Sequence, residues 1–181
     1  MGNIQKSCHS NILTISGTGR NVCKTSLACR IIDKLAGTQK LTAVKISPHF
    51  HNVDYPDTLY NQPGAYSLYR ENKKDRNKDS SKMLAAGADP VYYVQTNDIH
   101  LGDAWNKLSE LIRNDEPVVV ESGGLKELLD PGLSIIVMNP ENKDMKKKRK
   151  SGRDEVETSF GKFDMLINNI SYSQGRWQLN N

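Results

Sequence analysis

With 181 residues, 36% of them hydrophobic and 25% charged, the chain is long enough to bury one core and does not require a second domain. Its formal net charge of +4 comes largely from one basic stretch, so charge by itself does not favour a nucleic-acid partner. No apolar run approaches a membrane span and residues 1–10 lack the apolar centre of a secretory signal, which makes a cytoplasmic protein the expectation.

The most informative stretch is residues 11–27, NILTISGTGRNVCKTSL. A β-branched, apolar run at 12–15 breaks at Ser16-Gly17-Thr18-Gly19 and resumes at Lys24-Thr25 as a helical pattern, so the order is strand, glycine-bearing turn, helix. Backbone N–H groups and the positive end of a helix dipole converge in such a turn and favour an anion. A Lys placed as Lys24 reaches the outer phosphates of a nucleotide, and a hydroxyl placed as Thr25 holds Mg²⁺. The phosphate-binding residues expected are Gly17, Thr18, Gly19, Arg20, Asn21, Val22, Cys23, Lys24, Thr25 and Ser26.

The pattern G-x-x-x-x-G-K-[ST] is incomplete here: Thr18 and Cys23 stand at its two glycine positions. A Cβ at Cys23 crowds a phosphate or opposes a positive φ, and a left-handed L-residue costs roughly 1–2 kcal/mol. Cys8, Cys23 and Cys29 lack ligand-like spacing and support neither a disulfide framework nor a zinc knuckle. Beside Lys24 and a helix N-terminus, Cys23 reads either as a small residue that fits or as a redox-sensitive thiol.

Residues 24–35 carry Leu27, Ala28, Ile31, Ile32 and Leu35 at helical spacing, with Gly37 as the stop. Residues 41–46 form a second strand, so a β-α-β unit and a parallel sheet follow. Its end runs into His49 and His51, which together with Lys45 belong at the ligand edge of a doubly wound sheet. Two readings stay open for the histidines, a metal or phosphate contact and solvated loop residues.

Residues 52–82 are polar, with interspersed Tyr and a charged run, and read as a solvated insertion. Residues 79–88 read as a capped short helix ended by Gly87, 90–94 as a strand, and 101–112 as an amphipathic helix. Residues 117–121 then form an apolar strand that ends in Glu121 at a glycine turn, the way a carboxylate is presented to Mg²⁺ or its water; a carboxylate that merely caps the turn is the alternative.

In this order the segments resemble the molybdopterin-guanine dinucleotide biosynthesis adaptor B family of P-loop proteins. The features that carry the likeness are Lys24-Thr25, Lys45 with His49 and His51, Asp79-Ser80 through Ala86-Gly87-Ala88, and Val120-Glu121 with Gly123, over roughly residues 11–138. The resemblance implies nucleotide binding, Mg²⁺ and slow GTP hydrolysis in support of a partner enzyme. Ser122 between Glu121 and the glycines, and the longer insertion after the His turn, are departures from it.

Residues 133–138 form a further strand, followed at 139–153 by a basic segment. It reads as a lid that contacts transferring phosphate, as solvated surface, or as a nucleic-acid or membrane-surface contact. Residues 163–169 read as a closing strand that is similar to the ending of nucleoside monophosphate kinases, and 171–179 as an edge hairpin beside it.

The expectation is one three-layer α/β domain over residues 1–181, a P-loop NTPase fold with a mainly parallel sheet. It would bind GTP or ATP with Mg²⁺, with weak hydrolysis at most. Lys24, Glu121 and Asp79 are the catalytic candidates, and Thr25 and Glu121 the metal candidates. A small-molecule kinase of the P-loop class with its own acceptor, and a decayed interaction module without nucleotide, are the alternatives. The resemblance and the hairpin also make a homodimer an expectation.

Overall fold

The computed structural model describes residues 7–19, 21–52, 57–75, 77–138, 155–159 and 163–180, with backbone alone for 155–159 and 163–165. Its first strand, β1 (Cys8–Gly17), is buried along 11–16. Leu13 and Ile15 face one side and Ile12 the other, so both faces of the strand are covered, as a parallel sheet requires. Helix α1 (Lys24–Ala36) lays Leu27, Ala28, Ile31, Ile32 and Leu35 on the Leu13/Ile15 face.

The chain continues through β2 (Thr42–Ser47), β3 (Asp57–Gln62), β4 (Tyr66–Glu71), α2 (Asp79–Ala85), β5 (Val91–Thr96), α3 (Leu101–Ser109) and β6 (Val118–Glu121). A 3-10 turn at Leu125–Glu127 leads to β7 (Asp130–Met138), then β8 (Glu155–Ser159), α4 (Phe163–Asn169), β9 (Ile170–Ser173) and β10 (Arg176–Leu179).

Eight strands form one sheet in the order β3-β4-β5-β2-β6-β1-β7-β8. From β5 to β8 all neighbours are parallel, while β4 is antiparallel to β5 and β3 to β4. Residues of α1, α2 and α4 share a core with one face of the sheet; α3 packs through Leu101, Ala104, Trp105 and Leu108 on the other. The result is a three-layer α/β arrangement with a mostly parallel sheet. At the end of α2, Gly87 has φ +110, and a Cβ there would lie 2.6 Å from that of Ala36, so glycine lets α2 close against α1.

Three segments differ from the sequence expectation. The polar insertion at 52–82 contains the β3-β4 hairpin: β4 pairs along its whole length with β5 while Tyr66 and Leu68 alternate onto the α3 core. Residues 163–169 are helix α4 rather than a strand: Leu166, Ile167 and Ile170 are buried at helical spacing and Asn168 and Asn169 are exposed. The Lys34 ammonium donates to the carbonyls of Ile167, Asn168 and Ile170 at 2.7, 3.2 and 2.7 Å, which satisfies the end of that helix.

The hairpin at 171–179 does form, as β9-β10, but it is a separate two-stranded sheet and not an edge of the main one. Its Trp177 is buried and donates its indole N–H to the Asn11 carbonyl at 2.8 Å, tying the C-terminal segment to β1. The basic segment at 139–153 lies outside the described residues, as does Arg20. Among the described residues no helix is long and apolar enough to cross a membrane.

Candidate functional site

The carboxyl ends of β1, β2 and β6 lie side by side because the chain leaves β1 for β2 and β5, returns through β6 between them, and crosses to β7. A sheet whose strand order reverses in this way opens a crevice at those ends. A cavity of about 670 Å³ lies there, lined by Gly17, Thr18, Gly19 and Lys24 from the loop, and by Lys45, Asp79 and Glu121 across from them. A second cavity of about 720 Å³ adjoins it on the α3 side and shares Gly17, Thr18, Ser122 and Gly123.

The described residues of the loop from β1 to α1 include two non-glycine residues at positive φ. Cys23, immediately before the helix, has φ 65 and ψ 25, the left-handed conformation, and Asn21 has φ 56. Cys23 thus holds a backbone geometry that glycine adopts freely, at a cost of roughly 1–2 kcal/mol. Gly17 is required for close approach: a Cβ on it would sit 2.8 Å from Val22 Cγ2 and 2.9 Å from Lys24 Cδ. The Lys24 ammonium donates to the Gly19 carbonyl at 2.6 Å, so the side chain lies back over the loop. The Thr18 N–H is spent on the Val137 carbonyl of β7, at 3.1 Å.

Across the crevice, four side chains from four elements make one network. The Thr25 hydroxyl, in the first turn of α1, donates to Glu121 Oε2 at 2.8 Å. Lys45, on β2, places its ammonium 2.6 Å from Glu121 Oε1 and 2.7 Å from Asp79 Oδ2. The register makes this meeting necessary, since Lys45 and Glu121 are paired neighbours on adjacent parallel strands and both point to the α1 face.

The charges are mutually supporting. Burial disfavours the Lys45 ammonium, but Glu121 and then Asp79 outweigh it and hold the pKa above the ordinary lysine value. Burial likewise pushes the Asp79 carboxyl up, and the hydrogen bond and charge of Lys45, helped by Lys82, bring it below the usual carboxylate value. Cys29, one helical turn after Thr25, has its thiol pushed up to about 11 by burial and then by Glu121 and Asp79. It stays protonated at neutral pH.

Asp79 does not cap α2. The N-cap position is Lys78, without a side-chain cap hydrogen bond, and the Asp79 carboxylate turns to Lys45 instead. Ser122, read only as a departure in the sequence, accepts from the Gly124 and Leu125 N–H groups at 3.3 and 3.2 Å and shapes the turn after Glu121. Of the other loop candidates, Val22 and Cys23 pack against the α1-face core, and Ser26 is exposed on the first turn of α1.

His49 and His51 also line the first cavity, with ring centroids 6.0 Å apart. Two residues beside them, Tyr93 and Gln95 on β5, escaped the sequence reading. The signal was available: β5 is parallel to β2, so its carboxyl end belongs at the same edge.

For Mg²⁺ the donors present are hard oxygens, the Thr25 hydroxyl and the Glu121 and Asp79 carboxylates. Among the described residues no group of three or more His, Cys, Asp or Glu is arranged to cage a metal ion. That set fits Mg²⁺, which is usually held by one or two protein oxygens together with substrate phosphates. Compared with protein-family models, curated proteins and solved structures, the chain matches none.

Proposed function

We propose that this protein binds a purine nucleoside triphosphate, GTP or ATP, with Mg²⁺ at the carboxyl edge of the sheet. The observation that carries the reading is the 2.8 Å hydrogen bond from Thr25, in the first turn behind a glycine-bearing loop, to Glu121 at the end of the adjacent strand. A hydroxyl behind a phosphate loop and a carboxylate on the neighbouring strand are what a triphosphate-bound Mg²⁺ requires. In this reading the P-loop is the segment from Gly17 to Thr25, and Lys24 swings from the Gly19 carbonyl to the β- and γ-phosphates. Bound Mg²⁺ would neutralise phosphate charge; Thr25 would ligate it and Glu121 would hold one of its waters.

Hydrolysis is weak in this account. Glu121 and Asp79 both face the Lys45 ammonium, so neither is poised to take a proton from water. Nucleotide binding with little turnover suits an adaptor for a partner enzyme, and the segment order supports a role like that of the molybdopterin-guanine dinucleotide biosynthesis adaptor B family.

The test is a titration with fluorescently labelled GTP and ATP, with and without Mg²⁺. Binding that depends on Mg²⁺ and weakens at least tenfold in Thr25→Ala is expected. Affinity indifferent to both the metal and Thr25 would remove this reading.

A further inference from the structure

Apart from the loop and the Lys45 network, the cavity wall includes His49, His51, Lys78 and Tyr93, to which the nucleotide reading gives no role. This wall is built. Ser47 Oγ donates to the His49 carbonyl at 3.2 Å and accepts the His49 N–H at 3.3 Å, which fixes the turn after β2. Gln95, 2% exposed at the end of β5, donates its amide N–H to the His51 carbonyl at 3.0 Å. That hydrogen bond fixes the His51 backbone, as Ser47 fixes that of His49, and both residues line the cavity.

We propose that this wall is an acceptor subsite for a small molecule that presents an oxyanion, a carboxylate or a phosphate ester. As a transfer site it rests on the nucleotide binding above and sets a kinase's role in place of the adaptor's; as an oxyanion site it requires neither. Its polar groups are imidazoles, an ammonium and a phenol, the donors that recognise an oxyanion.

The chemistry of the neighbours points the same way. The carboxylates within reach, Asp79 and Glu121, are tied to Lys45, and Asp79 is held below the usual carboxylate value, so both are poor general bases. An acceptor that is already anionic needs none. Its oxygen attacks the γ-phosphorus, an O–P bond forms, and the bond from that phosphorus to the β,γ-bridging oxygen breaks. The electron pair leaves with the nucleoside diphosphate and no proton moves.

The test uses Lys24→Ala protein, in which the loop competes less for anions, and follows the imidazole NMR signals of all four histidines while inorganic phosphate or citrate is added. Saturable shifts at His49 and His51, with His9 and His100 unmoved, are expected, and the probe that binds tells phosphate ester from carboxylate. In otherwise unaltered protein, His49→Asn with His51→Asn should weaken that anion at least tenfold by calorimetry while nucleotide affinity stays within twofold. Signals of His49 and His51 that move no more than those of His9 and His100 overturn the subsite. Anion binding at the histidines in a protein that takes no nucleotide keeps the subsite and overturns the transfer step.

Discussion

At the scale of single residues, Cys23 is the most telling. Its sequence position, one before Lys24, anticipates a positive φ, and the structure has it at 65. Left-handed geometry at a residue that carries a Cβ is strain held by the fold. Cys23→Gly should therefore raise the melting temperature of the nucleotide-free protein. Relief of about 1–2 kcal/mol, less roughly 0.4–1 for the freer unfolded chain, leaves a net gain below about 2 kcal/mol. Lys45 is the opposite case, a residue whose loss strands its partners. Lys45→Met leaves the buried Glu121, among the described residues, with only the Thr25 hydroxyl and should cost about 3 kcal/mol in denaturant melts at neutral pH. The pH dependence has a definite sign. Asp79 has a lower pKa folded than unfolded, so its contribution is in place above about pH 4 and is lost as pH falls through the folded value. Lys45 has a raised pKa, so its contribution is in place below about pH 10.5 and is lost as pH rises through the folded value. The acid limb of the stability curve should flatten in Asp79→Asn.

At the scale of elements, what periodicity could express was legible and what depends on partners was not. Helix α1 follows from Leu27, Ile31 and Leu35 alone. The β3-β4 hairpin was hidden because β3 is exposed at nearly every position and therefore shows no apolar alternation. What holds it is β4, whose last residue, Glu71, is buried: one carboxylate oxygen accepts the Asn72 and Lys73 N–H groups, each at 3.1 Å, and the other accepts the Ser80 hydroxyl at 2.9 Å. That joint ties the hairpin to α2, the helix that carries Asp79. Glu71→Ala should cost about 2 kcal/mol by leaving those donors unmet, and hydrogen exchange should rise first in β4 and the start of α2. Helix α4 was misread as a strand because a short segment with Phe163, Met165, Leu166 and Ile167 as its apolar residues fits either period until its contacts are known. The likeness of 163–169 to a kinase's closing strand therefore carries no weight.

At the scale of the whole molecule, the residues of the candidate site were legible before the contacts among them. Lys24, Thr25, Lys45, Asp79 and Glu121 each stood out locally, at the end of a strand or the start of a helix. The strand order that makes Lys45 a neighbour of Glu121 is not written in any spacing, since positions 45, 79 and 121 meet only after β6 inserts between β1 and β2. The same insertion brings the glycine-bearing loop and the histidine turn to one crevice. Whether this crevice holds a nucleoside triphosphate is read from thermal unfolding with excess ATP, with excess GTP, or with neither, each with Mg²⁺. At about 100 times its dissociation constant, the bound nucleotide should add roughly 2.7 kcal/mol, with the gain absent in Lys24→Ala. A melting temperature that neither nucleotide raises, in the wild type or in Cys23→Gly, would contradict the account.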